Sequence, residues 1–93
     1  MVFEWDPANI RHIGEHAVTP EEAEQVMAND PIIREFQIVE GEERWAALGI
    51  TNRGRILLVW WTVRQEEIRV VTAFEPAKRL KKVYLRERGT IVR

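Results

Sequence analysis

The middle of the chain alternates apolar and polar residues with a period of two, which is typical of β-strands. Four such segments are separated by short turn-forming groups at 40–41, 52–54 and 65–66. The third segment, residues 55–64, is apolar on both faces, so we expect it to lie centrally in a sheet that is covered on both sides. The pattern predicts an antiparallel meander with strands at residues 32–38, 44–50, 55–64 and 67–74.

Two helix-start signals precede the strands. Asp6 followed by Pro7 is an N-cap acceptor before a residue whose φ is already set. Thr19 and Pro20 repeat the signal, and Glu22 adds the carboxylate of a capping box. These signals predict helices over residues 7–16 and 20–28, the second of which ends before the helix-breaking cluster at 29–31.

A basic amphipathic helix is expected at the C-terminal end. Leu80, Val83 and Tyr84 recur at helical spacing after Pro76, and basic side chains occupy most other positions, which predicts a helix over 76–88 with Tyr84 in the core. The last residues, up to Arg93, are expected to fray. With a short N-terminal strand, the elements define a small α+β fold with two N-terminal helices, an antiparallel sheet of about four to five strands and a basic C-terminal helix.

Composition narrows the class of protein. Ninety-three residues are expected to form one domain over 1–93. The chain has no cysteine, which excludes disulfides, zinc–thiolate sites and a thiol nucleophile. The longest apolar run, at 56–61, is far too short to span a membrane, and acidic residues near the start argue against a secretory signal. We therefore expect a cytoplasmic protein.

Charge is strongly segregated along the chain. Residues 1–50 carry 11 acidic and three basic side chains, whereas residues 75–93 carry two acidic and seven basic ones. Such asymmetry favours a nucleic-acid face or an acidic partner. The alternative is that the acidic half neutralises the basic half across the folded surface, and both interpretations stay open.

A series of short motifs follows in a fixed order along the chain. They are Phe3-Glu4-Trp5-Asp6, a helix ending near His16, a second helix rich in Glu and Ala, Glu42-Glu43-Arg44-Trp45, Leu48-Gly49, Leu57-Leu58-Val59, Thr62, Arg64 and Ile68-Arg69-Val70-Val71-Thr72-Ala73. In order and spacing they resemble the BrnT family, the toxin half of a bacterial toxin–antitoxin pair, over roughly residues 2–85. The resemblance implies a fold similar to that of RelE, a ribonuclease that needs neither metal nor cofactor, and a BrnA-like antitoxin that alone contacts DNA.

Metal-free RNA cleavage needs a base, an acid and a cation at the phosphate. The resemblance favours Arg44 and Arg64 as catalytic residues, with Arg69 on the neighbouring strand converging on the same phosphate, because guanidinium groups bind phosphate bidentately. His16 is the candidate for proton transfer. The alternative for each arginine is a surface ion pair with a nearby glutamate, which contributes little.

The basic C-terminal helix and one aromatic residue supply the candidate RNA-binding positions. Lys78, Arg79 and Lys82 of the basic helix are predicted to contact phosphates, and Trp45 to stack on a base. The basic helix could equally hold an acidic antitoxin segment or form only a solvated face. His12 and His16 are spaced to chelate a metal together, but without an obvious third ligand we predict no metal site.

The chain departs from the family pattern at three places. Trp61 stands where many members carry His, Phe74 where many carry Arg, and Ala17 follows His16 where Gly is usual. Two functional hypotheses therefore stand: an endoribonuclease toxin that cleaves RNA by attack of the 2′-hydroxyl, or a diverged module that binds RNA or antitoxin without cleavage. A third is a structural dimer in which the basic helix meets the acidic half of another copy.

Overall fold

The computed structural model describes residues 1–89, and the end expected to fray, up to Arg93, lies outside this part. The elements are α1 (Pro7–Gly14), α2 (Pro20–Ala28), β1 (Ile32–Val39), β2 (Glu42–Ile50), β3 (Ile56–Arg64), β4 (Glu67–Phe74), α3 (Lys78–Tyr84) and a π-helical turn (Leu85–Gly89). The strands pair antiparallel in the order β1-β2-β3-β4, so the predicted α+β class and meander are confirmed.

The sheet is covered on both sides, and β3 contributes to both layers. Its odd-numbered residues pack under α1 and α2, in a cluster formed by Ile13, Val18, Ala23, Val26, Leu57, Val59, Val70 and Ala73. Its even-numbered residues pack under α3, in a cluster formed by Ala46, Leu48, Ile56, Leu58 and Tyr84. We call the two sides the α1/α2 face and the α3 face. The central position expected for β3 and the core position of Tyr84 are confirmed.

A close approach to the sheet positions α2, and a left-handed turn ends α1. α2 passes over β2 at Gly49, where a β-carbon would lie 2.8 Å from Cγ1 of Val26 and 3.2 Å from Cβ of Pro31. α1 ends earlier than predicted, at Gly14, because the chain reverses there: Ala17 has a φ of 58°, in the left-handed region. The amide of Val18 donates to the carbonyl of Ile13, which closes a Schellman motif.

The two ends of the described chain differ from expectation in detail. The predicted N-terminal strand is a single parallel bridge between Phe3 and Ile68, with the amide of Glu4 donating to the Ile68 carbonyl at 2.8 Å. The predicted helix at 76–88 starts two residues too early and changes from α-helical to π-helical geometry within its range. Pro76 is buried before α3, which begins at Lys78, and the regular helix ends at Tyr84.

Candidate functional site

Three arginines from three adjacent strands lie on the α3 face, at the end of the sheet that α3 does not cover. On β2, Arg44 is two residues from Ala46, and on β3, Arg64 is four residues from Trp60. Because alternate residues of a strand share a face, both arginines lie on the same face as Ala46 and Trp60. A bulge in β4 leaves Val71 without a direct partner. This bulge sets Arg69 opposite Thr62 and so on the same face as the other two arginines.

The three guanidinium groups line one cavity of about 220 Å³ between the sheet and α1. We call it the arginine hollow, and its charged and titratable lining consists of His12, Glu42, Arg44, Arg64 and Arg69. A neighbouring cavity of about 300 Å³ shares Arg44 and adds the indole of Trp60 together with Gln37 and Thr72. The sequence-predicted convergence of Arg64 and Arg69 is therefore present, and Arg44 joins them.

Glu42 lies between the arginines of β2 and β3. Its Oε1 accepts a hydrogen bond from Nε of Arg44 at 2.8 Å, and its Oε2 accepts one from a terminal nitrogen of Arg64 at 3.3 Å. The Arg44 bond, with a smaller contribution from Arg64, lowers the pKa of Glu42 against the raising effect of burial. Glu42 is thus an ionised carboxylate at neutral pH, shared by two guanidinium groups.

Arg69 has a different set of partners. It donates to both carboxylate oxygens of Asp6, at 2.9 and 3.3 Å, and lies 3.7 Å from Oε1 of Glu4. Asp6 is the N-cap of α1, and the Arg69 hydrogen bond lowers the pKa of that carboxyl. Arg69 therefore fastens the start of α1 to β4.

Exposure separates the three arginines. The side chain of Arg64 is 52% exposed, that of Arg44 30% and that of Arg69 13%. Three carboxylates, from Glu4, Asp6 and Glu42, offset the three positive charges. A phosphate can therefore enter the hollow only by competing with these carboxylates, and Arg64 is the guanidinium most open to it.

The two histidines occupy different surroundings. His12, on α1, lines the arginine hollow. His16 stands in the turn after α1, with its ring centroid 5.9 Å from that of His12 and 5.7 Å from that of Phe74. Within residues 1–89, no group of three or more His, Asp or Glu side chains is arranged to hold a metal ion.

The predicted RNA-binding residues are divided between the two faces. Lys78, Arg79 and Lys82 are exposed on α3, outside the hollow but on the same face of the sheet. Trp45 lies on the α1/α2 face, where its ring stacks on that of Trp61 at 5.9 Å. A base stacked on Trp45 would thus lie on the other side of the sheet from a phosphate in the hollow.

The two positions at which the resemblance implied His and Arg are occupied by packed aromatic rings. Trp61 belongs to the ring pair with Trp45, and Phe74 packs on the α3 cluster beside His16. Neither ring carries a charge, so neither can neutralise a phosphate there.

Two residues of the hollow, Glu42 and His12, were not among the predicted site residues. Glu42 stands two residues before Arg44, so the period of two alone could have placed both on one face. His12 lies one helical turn before His16, and only the path of α1 along the β4 edge shows which of the two reaches the hollow.

Comparison with known families identifies the class of protein. A family model described as the ribonuclease toxin BrnT of type II toxin–antitoxin systems matches residues 5–79. The chain therefore belongs to the BrnT family of ribonuclease toxins, and an antitoxin partner and an RNA target follow from that membership. A search of curated proteins found no match. None of the helices within residues 1–89 has the length and hydropathy needed to cross a membrane.

Proposed function

We propose that the chain is an endoribonuclease that cleaves RNA in the arginine hollow by attack of a 2′-hydroxyl, without a metal ion. The observation that carries the proposal is the placement of Glu42 between Arg44 and Arg64, in the same cavity as His12. A carboxylate, an imidazole and guanidinium groups together supply the base, the acid and the phosphate-neutralising charge that this reaction needs.

In the proposed reaction Glu42 takes the proton from the 2′-hydroxyl. The 2′-oxygen then bonds to the adjacent phosphorus while the bond from phosphorus to the 5′-oxygen breaks. His12 gives a proton to that leaving oxygen, so the products are a 2′,3′-cyclic phosphate and a free 5′-hydroxyl. Arg44 and Arg64 stabilise the charge on the phosphoryl oxygens.

The shared carboxylate couples these steps. While Glu42 is ionised it holds both guanidinium groups, and when it accepts the proton it becomes neutral and its attraction for Arg44 and Arg64 falls. Negative charge builds on the phosphoryl group in the same step. The two arginines can therefore transfer their hydrogen bonds from the carboxylate to the phosphate.

The remaining predicted residues act around this centre. Arg69 contributes positive charge and positions α1, and His16 lies beside His12 as a second titratable group. The exposed cations of α3 hold the RNA backbone on the same face, namely Lys78, Arg79 and Lys82. We propose that Trp60, rather than Trp45, offers a ring to a base next to the hollow. The protein would act in the cytoplasm, and a BrnA-like antitoxin would provide the contact with DNA.

The test is cleavage of RNA by the purified protein in the presence of EDTA. Arg64→Ala should abolish most of the activity, whereas Arg53→Ala, which removes an exposed arginine from the β2–β3 turn, should leave it unchanged. Intact RNA with the wild-type protein, at concentrations that bind RNA, would refute catalysis.

A second candidate is a module that binds RNA or antitoxin without cleaving RNA. It is favoured by the carboxylate partners of all three arginines. It is also favoured by Trp61 and Phe74, which stand where the resemblance implied His and Arg. This hypothesis predicts salt-sensitive RNA binding with no turnover. Filter binding at two salt concentrations, run beside the cleavage assay, separates the two functions.

A further inference from the structure

An apolar surface lies on the α1/α2 face, beyond the area that the two helices cover. Phe36, Trp45 and Trp61 form a row of rings across β1, β2 and β3, with centroids 5.6 and 5.9 Å apart. Ile38 and Val63 extend the row towards the strand ends. We call these five residues the apolar patch.

The patch is more exposed than a core extension would be. The exposed fractions are 51% for Phe36, 64% for Ile38 and 50% for Val63. Large apolar groups that gather on one surface mark a site of interaction, because leaving them in water is unfavourable. In the described part of the chain β1 pairs only with β2, so the outer backbone groups of this edge strand also remain open beside the patch.

Carboxylates flank one end of the apolar patch. A cavity of about 530 Å³ is lined by Ile38, Trp45 and Val63 and also by Glu40 and Glu43. Neither Glu40 nor Glu43 forms an ion pair with another residue of the range 1–89. This charge repels RNA, and two copies meeting patch to patch would bring like charges together. The surface instead fits a protein segment that presents apolar side chains flanked by lysine or arginine.

We propose that the apolar patch is an anchor site for the antitoxin, which binds it through a cationic, apolar segment. The inference rests on the antitoxin implied by family membership and not on catalysis in the arginine hollow. It places an anchor on the opposite face of the sheet from Arg44 and Arg64. Glu42 lines both cavities, so an antitoxin cation seated near Glu43 would also lie close to the carboxylate of the hollow.

The experiment measures binding of the purified chain to the antitoxin encoded beside its gene, by isothermal titration calorimetry. Ile38→Ser and Glu43→Lys should each raise the Kd roughly tenfold or more, since one removes the most exposed side chain of the apolar patch and the other reverses a charge. Ile10→Ser is the matched control, because Ile10 is also an exposed isoleucine but lies on α1, and its Kd should stay within about twofold of wild type. Circular dichroism melts establish that each variant is folded.

Several results would overturn the proposal. They are the absence of antitoxin binding by the wild type, an unchanged Kd for both Ile38→Ser and Glu43→Lys, or an equal loss with Ile10→Ser. Light scattering that shows a dimer dissociated by Ile38→Ser, with antitoxin affinity unchanged, would assign the patch to a second copy. Weaker RNA binding by Ile38→Ser would assign it to RNA. RNA cleavage measured without antitoxin should be the same for Ile38→Ser and wild type. This assay tests the nuclease proposal alone, so a failure of that proposal can be distinguished from a failure of the anchor-site proposal.

Discussion

Replacing Glu42 with glutamine distinguishes a catalytic base from a carboxylate that only neutralises the arginines. The amide keeps the size of the side chain but cannot accept the 2′-hydroxyl proton, so cleavage should fall roughly 100- to 10,000-fold. It also removes the charge that Arg44 and Arg64 share at 2.8 and 3.3 Å. Because each such exposed ion pair contributes about 0.2–1 kcal/mol, RNA affinity should rise by roughly 2- to 30-fold.

The two effects have opposite signs, and two assays measure them. Single-turnover cleavage of a labelled RNA in EDTA gives the rate, and filter binding at fixed salt gives the affinity. Glu43→Gln is the control, because the neighbouring carboxylate lies outside the hollow and should change the cleavage rate little. If Glu42→Gln cleaves RNA as fast as wild type or faster, Glu42 is not the base and the proposed chemistry is wrong.

Three further predictions concern stability. Gly49→Ala should cost about 1–3 kcal/mol in free energy of unfolding, because its β-carbon would meet a valine of α2 at 2.8 Å, whereas Gly14→Ala, with no atom within 4 Å, should stabilise α1. Ala17→Gly should stabilise the fold by about 0.5–1 kcal/mol, since residue 17 has a left-handed φ of 58°. Asp6→Asn keeps an N-cap but loses the charge paired with Arg69, so it should be less stable than wild type at neutral pH. The folded protein lowers the pKa of Asp6 from its ordinary value of 3.8. The difference in stability between wild type and Asp6→Asn is therefore fully present at pH values above 3.8, and it is lost as the pH falls through the pKa of Asp6 in the folded protein.

Urea unfolding followed by tryptophan fluorescence measures the free energy of unfolding for each of these variants. Asp6→Asn and wild type are compared at a series of pH values from 7 down to 2. Equal midpoints for wild type and Gly49→Ala would mean that α2 can move away from β2. A destabilised Ala17→Gly would contradict the left-handed turn. If the difference in free energy of unfolding between Asp6→Asn and wild type were the same at every pH, the contact between Arg69 and Asp6 would not depend on the charge of Asp6.

The sequence predicted those elements whose signals are local. Caps at Asp6 and Thr19 placed the starts of α1 and α2 correctly, and the period of two located all four strands to within a few residues. The ends of the helices were predicted less accurately than their starts. Ala17 terminates α1 through a left-handed backbone conformation that its side chain does not favour, and the only signal for it was the resemblance, which implies glycine at this position.

The candidate site was predictable only in part. The resemblance pointed to Arg44 and Arg64, and alternation along adjacent strands is enough to place their side chains on one face of the sheet. The pairing of Arg69 with Asp6 could not be predicted from local signals, because the two residues lie 63 positions apart in the sequence. They come together beside the parallel bridge between Phe3 and Ile68. The face of Trp45 was open to prediction from its position next to Arg44, since neighbours on a strand point to opposite sides.

The contact between the N-terminal segment and β4 has a consequence for biosynthesis. During translation the opening residues emerge first, yet the strand that receives them is made last among the four. Each hairpin of the sheet joins strands that are adjacent in the sequence, so it can form as soon as its two strands have been synthesised. The contact between Asp6 and Arg69 can form only after β4 has been synthesised. The cavity lined by the three arginines can therefore be completed only after β4, which supplies Arg69, has been synthesised.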